Sequence, residues 1–261
     1  MILVTDSLQD SVDLPDPRLA PDDFDLVALG YRDSSGNLLT SDPMPEWPVL
    51  TKFGSEWDCD VLVTAYQRGM FPMPFEIDGG TFTIGWWSPQ PRAIFIPETI
   101  IPSRSLRKSM KKFSFSVDKD FQSVVRACAN PDRPQGWINE KVFESFTQLH
   151  LRGQAHSIEV RNLSGELIGG LYGVEIGGVF AGESMFHTQR DASKAALVHL
   201  AEILRVTNGR VIDTQWMTQH LESMGAVEIE RGAYCDLVVS LQDMPSAFTD
   251  ANLTLQRKRY L

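Results

Sequence analysis

Residues 156–186 constrain the fold more than any other stretch of the chain. HSIEVRN, LIGGLYGVEI and VFAGESMF are three runs rich in β-branched and aromatic residues, the composition that suits a pleated, half-buried surface. Only a turn at 162–166 and the pair Gly177 and Gly178 separate them. Connections that short favour an antiparallel meander, and any fold assigned to the chain must contain it.

The flanking segments narrow the choice. Before the meander, AIFIP reads as a strand, 104–112 as a helix, FSFSV at 113–117 as a strand and 119–129 as a helix. Val142, Phe143, Phe146 and Leu149 then recur at helical spacing over 140–151. After the meander, Leu197, Leu200, Ala201 and Leu204 form one face of a helix that Asn208 and Gly209 stop. RVIDTQ is a strand, 216–224 a short helix, AVEIE a strand and 232–242 a last helix. This order predicts an α+β protein with a mixed sheet and flanking helices of the acyl-CoA N-acyltransferase (GNAT-like) kind.

Residues 1–91 have another texture. DLPDPR, LAPDDFD, RDSSGN and SDPMPEWP are dense in turn-forming residues, and FPMPF and WWSPQPR predict a packed but non-regular crossing. The expected organisation is a small irregular lobe over 1–91, a GNAT-like catalytic domain over 92–245 and a C-terminal tail over 246–261, mobile from Ala251. Acids outnumber bases by 34 to 24 among 261 residues, so a polyanion must meet a local basic patch. Cys59, Cys128 and Cys235 are odd in number and show no CxxC spacing. They suggest neither a disulfide framework nor a zinc site, and they fit a reducing compartment. The acidic, proline-containing start is unlike a secretory signal, and no run approaches the roughly 18–20 apolar residues that cross a bilayer. A soluble, cytoplasmic protein is expected.

Three features carry candidate chemistry. RSLRKSMKK holds Arg104, Arg107, Lys108, Lys111 and Lys112 without one acid. At about 100° per residue the first four share a face while Leu106, Met110 and Phe113 take the other, a basic ridge suited to a phosphate backbone. Glu183 interrupts a strand of small and apolar residues, a costly position for a carboxylate without a partner. Strand alternation puts Asp213 and Gln215 on one face and Thr214 on the other. Leu171, Phe180, Met185, Leu197, Leu200 and Ile212 read as ordinary core. Trp86, Trp87 and Trp137 stand in the joins, where an indole stacks a base or plugs a gap. The histidines have no metal-ligand spacing, and GxSxG, P-loop and GxGxxG patterns are absent.

Taken together, AYQRGMFP, WWSPQPRAIF, SRSLRKSMKKF, HSIEV, GGLYGV, GESMF, DASK and IDTQ resemble the leucyl/phenylalanyl-tRNA protein transferase family, in the family's order over about 65–240. The resemblance implies transfer of Leu, Phe or Met from charged tRNA to a protein beginning with Arg or Lys, which marks the product for degradation. No cofactor or metal is assigned, and a monomer is expected, since one tRNA per monomer needs no partner subunit. Asp213 and Gln215 then match the catalytic pair and Glu183 an active-site acid. Leu171, Phe180, Ser184, Met185, Leu197, Leu200 and Ile212 would line the donor site, Trp137 would shape the place of the terminal adenosine, and the basic helix would hold the acceptor stem. Met73 departs from a frequent Trp, and Ala181 and Thr214 stand where Cys is common.

An aminoacyl ester is already activated, so orientation supplies much of the rate. A Gln amide is too weak a base for the amine, and the expectation is that Gln215 orients it, Asp213 polarises Gln215, and ribose hydroxyl or water completes the proton transfer. Two rival readings are an acyl-CoA N-acyltransferase, against which QRDASKAA lacks a glycine-rich pyrophosphate turn, and a non-catalytic tRNA-binding protein.

Overall fold

The computed structural model describes residues 16–20, 22, 26–30, 49–51, 58–76, 82–129, 138–205 and 208–249. Trp137, most of residues 31–57 and residues 250–261 of the expected tail lie outside them.

Two sheets organise these residues. The first contains β1 (Leu26–Gly30), β2 (Val49–Thr51), β3 (Phe71–Glu76) and β4 (Phe82–Trp87) in the order β2-β1-β4-β3, with α1 (Cys59–Gln67) between β2 and β3 in the chain. FPMPF, expected to belong to a non-regular crossing, is instead a strand: β3 pairs antiparallel with β4 from Phe71 opposite Trp87 to Glu76 opposite Phe82, while 88–91 run without regular structure into the strand that begins at Arg92. The two prolines of β3 are tolerated because it is an edge strand. Trp86 is buried in the core that joins this sheet to the helices, which is the gap-plugging role.

The second sheet has seven strands: β5 (Arg92–Phe95), β6 (Ser114–Val117), β7 (Ala155–Arg161), β8 (Leu167–Ile176), β9 (Val179–His187), β10 (Val211–Gln215) and β11 (Val227–Ile229), in the order β11-β5-β10-β9-β8-β7-β6. The meander is β7-β8-β9, closed by a hairpin whose Gly177 sits at φ 55, a backbone state glycine adopts without penalty. α2 (Arg104–Met110), α3 (Phe121–Cys128), α4 (Glu140–Leu151), α5 (Ala192–Leu204), α6 (Gln219–Ser223) and α7 (Arg231–Leu241) complete the α+β arrangement.

The sheet's faces bury different cores. Tyr172, Val174, Ala181 and Phe186 pack with α1, α3 and α4. Ile158, Leu171, Phe180 and Ile212 pack with α5. A third group, Ile94, Val179 and Val211, packs on Tyr234 and Val238 of α7.

The site arises where two strands of this sheet separate. β9 and β10 are parallel and pair only over Val179–Ala181 with Val211–Asp213. Both strands carry an irregularity just beyond: β9 between Gly182 and Ser184 against β8, and β10 between Asp213 and Gln215 against β5. Each bulge inserts one residue and bends its strand, so the two part at Glu183 and Gln215.

Candidate active site

Asp213 is the centre of a closed polar cluster. Its side chain has no exposed surface, and four donors surround its carboxylate. Arg92 donates from Nε to Oδ1 at 2.8 Å and from Nη2 to Oδ2 at 2.6 Å. The Tyr234 hydroxyl donates to Oδ2 at 2.8 Å, and the main-chain N–H of Gln215 to Oδ1 at 2.9 Å. The ion pair raises the already basic Arg92 further against its burial, and the guanidinium also lies over the rings of Phe71 and Tyr234. Such a bidentate, fully bonded pair satisfies a charge that would otherwise be very costly to bury.

Gln215 adopts φ 64, unusual for a residue with a Cβ. The bond from its N–H to Asp213 fixes that conformation, and its Nε2 donates to the carbonyl of Gly182 at 3.0 Å and to Glu183 Oε1 at 3.4 Å. The expected polarisation of the Gln215 amide by Asp213 is therefore replaced by a grip on the Gln215 main chain. Bulging, rather than simple alternation, sets where the two side chains point; Thr214 bonds the carbonyl of Ala93 on the neighbouring strand. Trp216, the next residue, is wedged edge-on against Phe71 and Trp87.

Glu183 is the third member. The Tyr66 hydroxyl of α1 donates to its Oε1 at 2.8 Å. Burial pushes the carboxyl up to about 8, with the Tyr66 hydrogen bond and Arg92 opposing and Asp213 reinforcing the rise. A carboxyl of that basicity is matched to an α-amino group, whose ordinary value is about 8.

The structure thus brings Asp213, Gln215 and Glu183 together. Leu171, Phe180, Leu197, Leu200 and Ile212 are buried in the α5-side core, and Met185 packs against it. Simple alternation would put Phe180 and Met185 on opposite faces; the bulge at Glu183 lets both reach one core. Ser184 is half-buried opposite Tyr172. Arg104, Arg107, Lys108, Lys111 and Lys112 are all exposed while Leu106 is buried, and α2 packs on α5.

Three residues of the cluster went unnoticed in the sequence: Arg92, Tyr66 and Tyr234. Arg92 offered a signal, since an arginine beginning an apolar strand needs a buried acid. The phenols gave none.

The family model for the leucyl/phenylalanyl-tRNA protein transferase matches residues 94–239, and the model for its N-terminal domain matches 56–90. The chain belongs to this family. It is 43% identical over 227 residues to the leucyl/phenylalanyl-tRNA–protein transferase of Shewanella sp. (strain ANA-3), covering 82% of this chain and 94% of that one. The transferase of Nitrosomonas europaea is 44% identical over 198 residues, covering 74% and 81%. Membership makes the chain an aminoacyltransferase with an aminoacyl-tRNA donor and a protein acceptor. Likeness to solved structures is distant: L-PGS from Bacillus licheniformis aligns with TM-score 0.39 and 11% identity over 60% of this chain and 66% of that one. Among the described residues no helix is long and apolar enough to cross a membrane.

Proposed function

We propose that the chain transfers leucine, phenylalanine or methionine from the 3′ end of tRNA to proteins that begin with Arg or Lys, with Glu183 taking the acceptor's proton. The observation that carries this reading is a carboxyl of raised basicity, held between Tyr66 and Gln215 where β9 and β10 part. The amine nitrogen attacks the ester carbonyl carbon. Glu183 accepts the proton the nitrogen sheds, the bond from that carbon to the ribose oxygen breaks, and the proton returns to the ribose oxygen. A peptide bond and a free tRNA 3′ end result.

In this reading Gln215 orients the amine, its amide nitrogen already anchored to Gly182 and Glu183. Asp213 acts through Gln215, since its carboxylate has no exposed surface and four donors already. The donor side chain is held by the apolar set around Met185 and Phe180. Burial selects Leu, Phe and Met over polar residues but separates them weakly, because one methylene is worth only about 1–3 kcal/mol. Trp137 serves the terminal adenosine, and α2 with Lys111 and Lys112 holds the acceptor stem through its phosphates. A monomer supplies all of these groups, and three buried cysteines outside any disulfide suit a cytoplasmic setting.

The test is direct. Purified protein is mixed with Leu-tRNA or Phe-tRNA carrying a labelled amino acid and with peptides that begin with Arg, Lys or Ala. Label on the first two peptides alone is expected; equal label on all three, or retained tRNA binding without transfer, contradicts the reading.

A further inference from the structure

The contact between Tyr66 of α1 and Glu183 of β9 joins residues 117 positions apart. We propose that Tyr66 is a positioning residue of the transfer reaction: its phenol keeps Glu183 aimed at the acceptor amine and stabilises the charged carboxylate that takes the proton. This rests on Glu183 being the proton acceptor.

α1 is built to hold that phenol still. Asp58 caps its start, accepting from the N–H groups of Asp60 and Val61. Leu62, Ala65 and Tyr66 bury the inner face. Just past the helix's end stands Gly69, whose φ of 82 a residue with a side chain would adopt only under strain, and an added Cβ there would lie 2.9 Å from Cys235 Sγ. The Gly69 carbonyl accepts from Ser88 Oγ at 3.1 Å and from Arg92 Nη1 at 3.2 Å. The arginine that closes on Asp213 therefore also pins the end of the helix bearing Tyr66. One guanidinium fixes both arms of the site.

The groups facing Glu183 come from four elements: Tyr66 of α1, Tyr172 of β8, Arg92 of β5, and Asp213 and Gln215 of β10. The Tyr172 hydroxyl is fully buried and makes no hydrogen bond to Glu183. Tyr66 is thus the hydroxyl that favours the carboxylate. Burial holds the Tyr66 phenol well above its ordinary value, so it remains a donor throughout the working range of pH.

The test compares the pH dependence of kcat in the wild type, in Tyr66→Phe and in a protein carrying 3-fluorotyrosine at position 66. The acceptor peptide is common to all three, so its amine contributes equally. Removing the donor is expected to move the acid limb up by about one pH unit, making transfer about tenfold slower at pH 7, with recovery at high pH and unchanged KM for charged tRNA. Fluorotyrosine, a stronger donor of nearly the same shape, is expected to move the limb down. An unmoved limb, or the same fractional loss at every pH, overturns the proposal and leaves Tyr66 a packing residue. Should Tyr66→Phe fail to fold, the fluorotyrosine protein decides alone. If Glu183→Gln keeps full activity, the premise has failed; if it is inactive while the limb is unmoved, only this inference has.

Discussion

Glu183→Gln is expected to make the protein more stable, and by an amount that depends on pH. The folded chain raises this carboxyl from 4.5 to about 8, chiefly by burial. Below about 4.5 the folded and unfolded states both hold the proton. Between 4.5 and 8 the folded state keeps it while the unfolded chain releases it, so folding becomes less favourable as pH rises, and above about 8 the whole penalty is present. At about 1.4 kcal/mol per pH unit the full difference approaches roughly 5 kcal/mol. Glu183 retains part of its surface in contact with solvent, and screening reduces the expectation to about 2–4 kcal/mol. Glutamine has no such penalty and still accepts a hydrogen bond from Tyr66. Urea unfolding of both proteins between pH 5.5 and 8.5 measures the difference, with the variant's advantage growing as pH rises. An advantage constant in pH, or one that shrinks, refutes the argument that burial of this carboxyl sets its basicity.

Other perturbations separate the roles of neighbouring groups. Asp213→Asn leaves the Arg92 charge buried and unpaired, which costs about 3–5 kcal/mol and, at about 2–4 °C per kcal/mol, lowers Tm by roughly 6–20 °C; calorimetry showing an unchanged Tm would mean the pair is open in solution. Gln215→Gly accommodates φ 64 freely, so its Tm is expected to hold while transfer falls about 10²-fold or more through loss of the orienting amide. Lys108→Ala with Lys111→Ala is expected to weaken binding of charged tRNA and to lower the salt slope by about one for each phosphate no longer neutralised, with little change in kcat at saturating tRNA. A filter-binding series from low to moderate salt checks this.

The elements made of local pattern were legible. The meander followed from two short turns, and α4 from apolar spacing that the structure reproduces as Glu140–Leu151. The β3-β4 pair was hidden because proline argues against strands in general and an edge position is invisible without the sheet order. The site was legible as a set of residues and illegible as geometry. Asp213, Gln215 and Glu183 do converge, yet two bulges decide how, and period-two alternation makes no provision for an inserted residue. The groups that complete the cluster lie far off in the chain: Arg92 bonds Asp213 across 121 positions, and Tyr66 reaches Glu183 across 117. Only the rule that a buried charge needs a partner could have drawn Arg92 toward Asp213, and no comparable rule singles out a tyrosine.

The most direct measurement is a rapid-quench, single-turnover rate of transfer from Phe-tRNA to an Arg-peptide at pH 8, comparing the wild type with Glu183→Gln at saturating tRNA. With Glu183 as the proton acceptor, the variant should bind charged tRNA as the wild type does and transfer at least about 10²-fold more slowly. A variant rate within about threefold of the wild type would show that the amine loses its proton elsewhere.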